Sequence, residues 1–312
     1  MGAAEPDRPS WGIGPHAWDG QERAPLVGPL GRAENHPTAV KLILGAVLRR
    51  LREKAGLTPA DVKAALGIST YRTSRVETGL KSCRRAEALA LLDLYGEDAP
   101  ERVDECLELV ELSHKREWFK AWPDAVVGFV QPLLALEGAA EIVRAYQNYY
   151  VPGLLQIPQY TCAVVRAEHP ELPAKKVAAR AALRDARKKH LEGPDGTKLW
   201  AIMEDLVLRR DFGDPAALRA QIEYLIEAAQ HPHITLQIAP MQMTQQVSLG
   251  NNVTLLHFAL DDLPSAVYTE HLLSNDLSTK PEDVERYQKQ LDRLAACALD
   301  PDETVKELKR YL

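Results

Sequence analysis

The chain is poor in cysteine and in aromatics, and it has no long apolar run. Its four cysteines, Cys83, Cys106, Cys162 and Cys297, are scattered through 312 residues and form no CxxC pair. That argues against a zinc ribbon and for reduced thiols in a cytoplasmic setting. No stretch of eighteen or more uncharged apolar residues occurs, so no membrane partner is expected. The N-terminus lacks a compact apolar segment behind a basic start, which argues against a secretory signal. HExxH, GxSxG, GxGxxG and P-loop patterns are missing, and with them the commonest marks of hydrolase and nucleotide sites. His231-Pro232-His233 has neither helical spacing nor an obvious third ligand. No metal, no cofactor and no catalytic residue are therefore expected.

What is present is a chain long enough for two domains and a sizeable core. Hydrophobic residues make up 46% and charged residues 26%, ordinary values for a soluble globular protein. The net charge of −6 conceals an asymmetry. Lys41 to Tyr95 holds eleven Lys+Arg against five Asp+Glu, a net of +6 that leaves −12 elsewhere. A basic module on an acidic body fits nucleic-acid contact confined to one domain. The alternative is a small helical domain with a basic solvated face.

Residues 1–36 are rich in Pro and Gly without periodicity, and are expected to be a disordered or loosely docked arm. Trp11 and Trp18 in it either dock on the body or are functional. Residues 37–97 read as a helical bundle. Leu44, Val47, Leu48 and Leu51 make one apolar stripe. Gly56 suits a helix end, and Thr58-Pro59 suits a helix start. Gly67 allows a tight turn, after which Ser69 caps a helix carrying Tyr71, Arg72 and Arg75. A helix over 84–94 closes the bundle, and Leu89 is expected to share its core. Residues 98–123 read as a linker helix ending in Trp118, Phe119 and Trp122. Residues 124–312 read as a mixed α/β domain. Helices are expected over 133–149, 175–190, 215–229, 282–298 and 302–312, and strands over 199–207, 234–238, 253–258 and 266–270. The fold class is thus mainly α with a mixed α/β C-terminal domain.

Helix, turn and helix over 59–79 suggest a unit whose second helix lies in the major groove. Ser69, Thr70, Tyr71, Arg72 and Arg75 would face base edges, because Arg pairs with guanine and Ser or Thr reach bases or phosphates. Lys81, Arg84 and Arg85 would bind phosphates and fix register. Residues 44–95, with LRxLRExAGLT, LGIS, SRVETG and LLDLYG, resemble the XRE (phage-repressor-like) helix-turn-helix domain. The resemblance implies a five-helix-type fold, contacts at Thr70, Tyr71 and Arg75, and an ion pair between Arg52 and Glu77. The sequence departs from that family at three positions. Pro59 replaces a usual Gln, Lys63 a usual Ala, and Thr73 a usual Ile or Val. Lys63 must snorkel outward, and Thr73 must find an acceptor.

Further segments, LEGAAEIVRAYQNYYVPGLLQIPQYTCAV, MEDLVLRRDFG and LRAQIEYLIEAAQHPHITLQIAP among them, resemble in order the C-terminal domain of actinomycete XRE regulators of the WhiJ-like group. That resemblance implies a cytoplasmic regulator, often paired with a short protein encoded by a neighbouring gene. Tyr146, Tyr149, Tyr150 and Gln156 cluster around a turn and suit a ligand pocket, a protein interface or plain helix packing. Met241–Gln246, MQMTQQ, departs from the relatives and reads as a loop. Glu204, His257, Tyr268 and Glu270, with His271, are the residues from which a cleft with a His–carboxylate pair would be built.

The function expected is a sequence-specific, double-stranded-DNA-binding transcriptional regulator, a homodimer on a two-fold site. Its C-terminal domain would sense a small-molecule effector or a protein partner. The alternative is a helix-turn-helix scaffold turned to small-molecule binding or catalysis.

Overall fold

The computed structural model describes residues 25–244, 249–271 and 274–312. Trp11, Trp18, Gln245 and Gln246 lie outside the described residues.

Five helices form the N-terminal region: α1 (Pro37–Lys54), α2 (Pro59–Leu66), α3 (Thr70–Glu77), α4 (Arg85–Leu94) and α5 (Pro100–Ser113). The α1 stripe is buried from Ala39 through Leu51, which fixes which side of the helix faces the bundle. Thr58 accepts from the Asp61 amide while Asp61 bonds back to the Thr58 amide, a capping box that starts α2. Gly67 ends α2 at φ 71°, and the Ser69 side chain accepts from the Arg72 amide to start α3. The turn between the two helices is therefore set by local chemistry. In α4, Ala88, Leu91 and Leu92 turn inward, but Leu89 is 42% exposed. It stands about 100° round the helix from Ala88, off the packed stripe.

The expected linker helix is shorter than its sequence suggests. α5 stops at Ser113, and Trp118–Ala121 form a separate 3-10 turn. Trp118 donates to the Leu134 carbonyl at 3.0 Å and packs edge-on against Phe119 and Trp122. These rings bury themselves against the following domain, and that packing outweighs continuation of the helix.

That domain runs α6 (Gln131–Glu137), β1 (Ile142–Gln147), α7 (Pro158–Glu168), α8 (Ala174–Arg187), β2 (Lys198–Glu204), α9 (Pro215–Ala228), β3 (Ile234–Ala239), α10 (Met241–Thr244), β4 (Val253–His257), β5 (Ala266–Glu270), β6 (Asn275–Ser278), α11 (Pro281–Cys297) and α12 (Pro301–Lys309). The sheet order is β3-β2-β1-β4-β5-β6, with β1, β2 and β3 parallel and β4, β5 and β6 joined antiparallel. One face, with Tyr146, Ile202 and Leu255, packs on Leu291 and Leu294 of α11. The other, with Val143, Leu199, Leu256 and Tyr268, packs on α6, α7 and α9. Residues 133–149, expected as one helix, divide into α6 and the central strand β1. A strand buried on both faces loses its alternating polarity, and six residues are too few for periodicity to decide. Met241–Thr244, expected as a loop, make the one-turn helix α10.

The segment 25–36 bridges the two regions. The Leu26 amide donates to Glu105 at 2.7 Å, and Arg32 donates to the carbonyls of Gly138 and His190 at 3.2 and 2.9 Å. Arg50 of α1 pairs with Asp262 beyond β4. His36 and His190 meet in the same junction with ring centroids 5.6 Å apart. Burial first, then the His190 and Arg32 charges, lower the His36 pKa to about 4. Its neutral form is therefore the folded one, and stability is fully present above the unfolded value of about 6.5. It is lost as pH falls towards 4, because the unfolded chain takes up the proton first. Between pH 7 and pH 5 this one group should cost about 2 kcal/mol. Urea midpoints at those two pH values, compared with His36→Asn, check it. An equal pH slope in the variant would remove His36 as the cause.

Candidate nucleic-acid interface and cavity

The helix-turn-helix is held from behind by charge. Arg52 of α1 donates to both oxygens of Glu77 at 2.6 and 2.9 Å, and to the Leu57 carbonyl at 2.7 Å. Both side chains are buried, so the pair ties α1 to the end of α3. Gly45 lets the same helices touch, since a Cβ there would lie 2.6 Å from the Val76 and Glu77 carbonyl oxygens. The resemblance to the XRE domain implied the ion pair, and nothing in the pattern singled out Gly45.

The outer face of α3 carries Thr70, Tyr71 and Ser74, all exposed. Tyr71 is 69% exposed, the most of any large apolar side chain described. Arg75 donates to the Tyr71 hydroxyl at 2.8 Å and lies 5.3 Å from its ring centre. Among the described residues the buried Arg75 Nε has no hydrogen-bond partner. Ser69, Lys81 and Arg84 are exposed. Ser69 caps α3, and Arg84 is the residue immediately before α4.

Arg72 differs from the role its sequence position suggests. Its Nε and Nη2 donate to the two Glu87 oxygens at 2.9 and 2.6 Å, and Nη2 also donates to the Ser82 carbonyl at 2.8 Å. It braces α3 against α4 and is not free for a base. The three family departures are accommodated. Pro59 occupies the first helical position, Lys63 is exposed, and Thr73, 3% exposed, donates to the Ser69 carbonyl at 3.3 Å.

The C-terminal candidates separate. Tyr146 donates to Glu204 on the α11 face, and burial first, then Glu204, raises its pKa. His257 is on that face too, but at the far end of the strands, with Nδ1 3.1 Å from Ser265 Oγ. Register puts it six residues, roughly 20 Å, along the sheet from Glu204. Asp292, whose charge acts on His257, is bonded to Arg144 at 2.7 Å, and burial with the Arg144 charge lowers the His257 pKa. Tyr268 and Glu270 point to the opposite face, where the Tyr268 hydroxyl donates to the Phe129 carbonyl at 3.3 Å. The expected cleft of Glu204, His257 and Glu270 is thus not assembled, because Glu270 stands on the opposite face and Glu204 and His257 lie at opposite ends of theirs.

A cavity of about 760 Å³ does lie on the second face, between the sheet, α6 and α8. Tyr149, Tyr150, Gln156, Glu270 and His271 line it. Tyr149 and Tyr150 pack edge-on at 4.7 Å, Arg210 stacks 4.0 Å over Tyr149, and the Tyr150 hydroxyl donates to Glu168. Phe212 packs on both rings at φ 51°, the one positive φ outside glycine among the described residues. Sequence reading missed the charged wall. Arg180, Arg184 and Arg187 of α8 line the cavity with Glu137 and Glu168. Arg187 donates to both Glu137 oxygens at 2.8 and 2.7 Å. The findable sign was the spacing 177, 180, 184, 187, which continues the buried Val177 stripe with arginines.

All four cysteines are free, and burial pushes the Cys83 and Cys106 thiols up to about 12, which leaves them protonated. Among the described residues no helix is long and apolar enough to cross a membrane, and no cluster of metal-ligating side chains occurs. No curated protein and no solved structure matches the chain. A helix-turn-helix domain family matches residues 43–105, which supports a DNA-binding regulator. The match to the domain of unknown function DUF5753 spans residues 130–310, more than half the chain, and the protein belongs to that family.

Proposed function

We propose that the protein is a sequence-specific transcriptional regulator of XRE type. In this reading α3 lies in the major groove, and Thr70, Tyr71 and Arg75 read bases. Lys81 and Arg84 bind phosphates, and Ser69 and Arg72 hold the geometry. Two copies would place their α3 helices about 34 Å apart on a two-fold operator. The C-terminal domain would sense a small molecule, or a short protein encoded nearby, in the manner of the WhiJ-like group. The observation that carries the reading is the contrast on α3. Tyr71 and Arg75 stand outward and bonded to each other, while Arg52–Glu77 and Arg72–Glu87 brace the helix from behind.

The test is fluorescence anisotropy of the full chain on its own upstream DNA, across a salt series. Tyr71→Ala/Arg75→Ala should weaken specific binding by about a hundredfold, as the loss of one good base pairing does, and leave the unfolding midpoint unchanged. Arg72→Met should instead lower stability by about 2 kcal/mol, because Glu87 loses its charged donor. Binding no tighter than to unrelated DNA, with Tyr71→Ala/Arg75→Ala no weaker, would overturn the reading and favour a repurposed scaffold.

A further inference from the structure

The arginines of α8 are not equivalent. Arg187 is saturated by Glu137. Arg184 has no carboxylate within ion-pair distance among the described residues, and its contact is the amide oxygen of Gln156 at 2.6 Å. That oxygen already accepts from Thr161 at 3.1 Å. Burial first, then the neighbouring Arg187 charge, lowers the Arg184 pKa, so its charge is held in an unfavourable place. One turn earlier, Arg180 Nε is buried with no hydrogen-bond partner among the described residues. A desolvated guanidinium is costly unless an acceptor with charge meets it. Both side chains line the same 760 Å³ space, a volume suited to one small organic molecule.

We propose that this cavity binds a small organic anion, a carboxylate or phosphate ester on an apolar body, with Arg180 and Arg184 holding its acidic group. The proposal rests on reading the C-terminal domain as the sensing unit. The acids of the same wall do not oppose it equally. Glu137 is engaged by Arg187, and Glu168 accepts from Tyr150. Glu270, on the strand facing α8, makes no hydrogen bond or ion pair through its side chain among the described residues, although Arg184 and Arg187 feel its charge. It is an acceptor left over for a hydroxyl or amine on the ligand. Phe129, Val130, Leu133 and Leu154 supply apolar wall, and Tyr149 and Tyr150 supply aromatic faces for the body. A bidentate guanidinium fits carboxylate and phosphate geometry alike, so the two chemistries are separated by experiment.

The test uses the full chain without DNA. Thermal unfolding is followed with phenyl phosphate, with 4-hydroxybenzoate and with the neutral 4-hydroxybenzamide, at matched ionic strength. At least one anion should raise Tm saturably, and the amide should not; the better anion names the acid group. Arg184→Met should keep the ligand-free Tm or raise it, since it removes an unpaired buried charge, yet weaken the anion by about tenfold or more. Arg180→Met, one turn earlier on α8, gives the same readout should Arg184→Met fail to fold. The proposal is overturned if no anion shifts Tm, if the amide shifts it equally, or if the anion shift survives in both variants. Anisotropy on the same preparation keeps the two claims apart. An anion response without specific DNA binding sinks the regulator and leaves the cavity standing, and the reverse result sinks the cavity alone.

Discussion

Glu137→Leu should destabilise the protein by about 3–5 kcal/mol, a large part of the 5–15 kcal/mol that holds a typical domain. Glu137 is 1% exposed and Arg187 7%. Burial by itself would lower the Arg187 pKa, but the Glu137 charge and hydrogen bonds outweigh it and the value is raised. Removing Glu137 leaves that cation enclosed, with Arg184 one turn away. Gly153 packs against the guanidinium, where a Cβ would lie 3.0 Å from Arg187, so the side chain has little room to turn outward. The double variant Glu137→Leu/Arg187→Met should recover most of the loss, because a packed apolar pair replaces two desolvated charges. Denaturant unfolding of the three proteins decides. A single-variant loss below about 1 kcal/mol would mean that water reaches Arg187 through the cavity and solvates it.

The contrast between these two sites explains what the sequence could and could not reveal. The helix-turn-helix was legible because its signals are local. Thr58, Gly67 and Ser69 each act within four residues, and each takes the part its chemistry suggests. Arg72 was misread because its partner, Glu87, lies fifteen residues on, in another helix. A stripe of charge on a helix looks the same whether it faces base pairs or a carboxylate. The strands of the second domain were legible by composition, apart from β1 and β6. β1 is buried on both faces, and β6 is a four-residue edge of Asn, Asp, Leu and Ser with little β character. Of the tyrosine cluster, Tyr149, Tyr150 and Gln156 line one cavity, but Tyr146 leaves it for the opposite face of β1, where it meets Glu204. Glu204, His257 and Glu270 were grouped wrongly, because sheet order and the face of each strand come from long-range pairing. The arginine wall is the same difficulty in reverse. α8 reads as a basic solvated helix until the sheet is laid beside it.

Gly45→Ala is the second large effect, and its sign depends on packing. Helix propensity alone favours alanine by about 0.8–1.0 kcal/mol in the interior of α1. Against that, the new Cβ would sit 2.6 Å from two carbonyl oxygens and 2.8 Å from the Glu77 carbonyl carbon. A carbon meets a carbonyl oxygen comfortably at about 3.3 Å or more. The obstacle is backbone, so no rotamer change relieves it, and α3 has to move. Moving α3 stretches the Arg52–Glu77 bridge between the same two helices, whose bonds are 2.6 and 2.9 Å. Overpacking of this kind costs about 1–3 kcal/mol, and the strained ion pair adds to it, so the net should be a loss of about 1–3 kcal/mol. DNA affinity should fall further than stability does, because Tyr71 and Arg75 are displaced in the population that remains folded. Paired measurements of unfolding midpoint and anisotropy separate the two. An alanine variant as stable as the parent, or more so, would show that α1 and α3 stand further apart than the 2.6 Å contacts allow, and the brace behind the recognition helix would have to be redrawn.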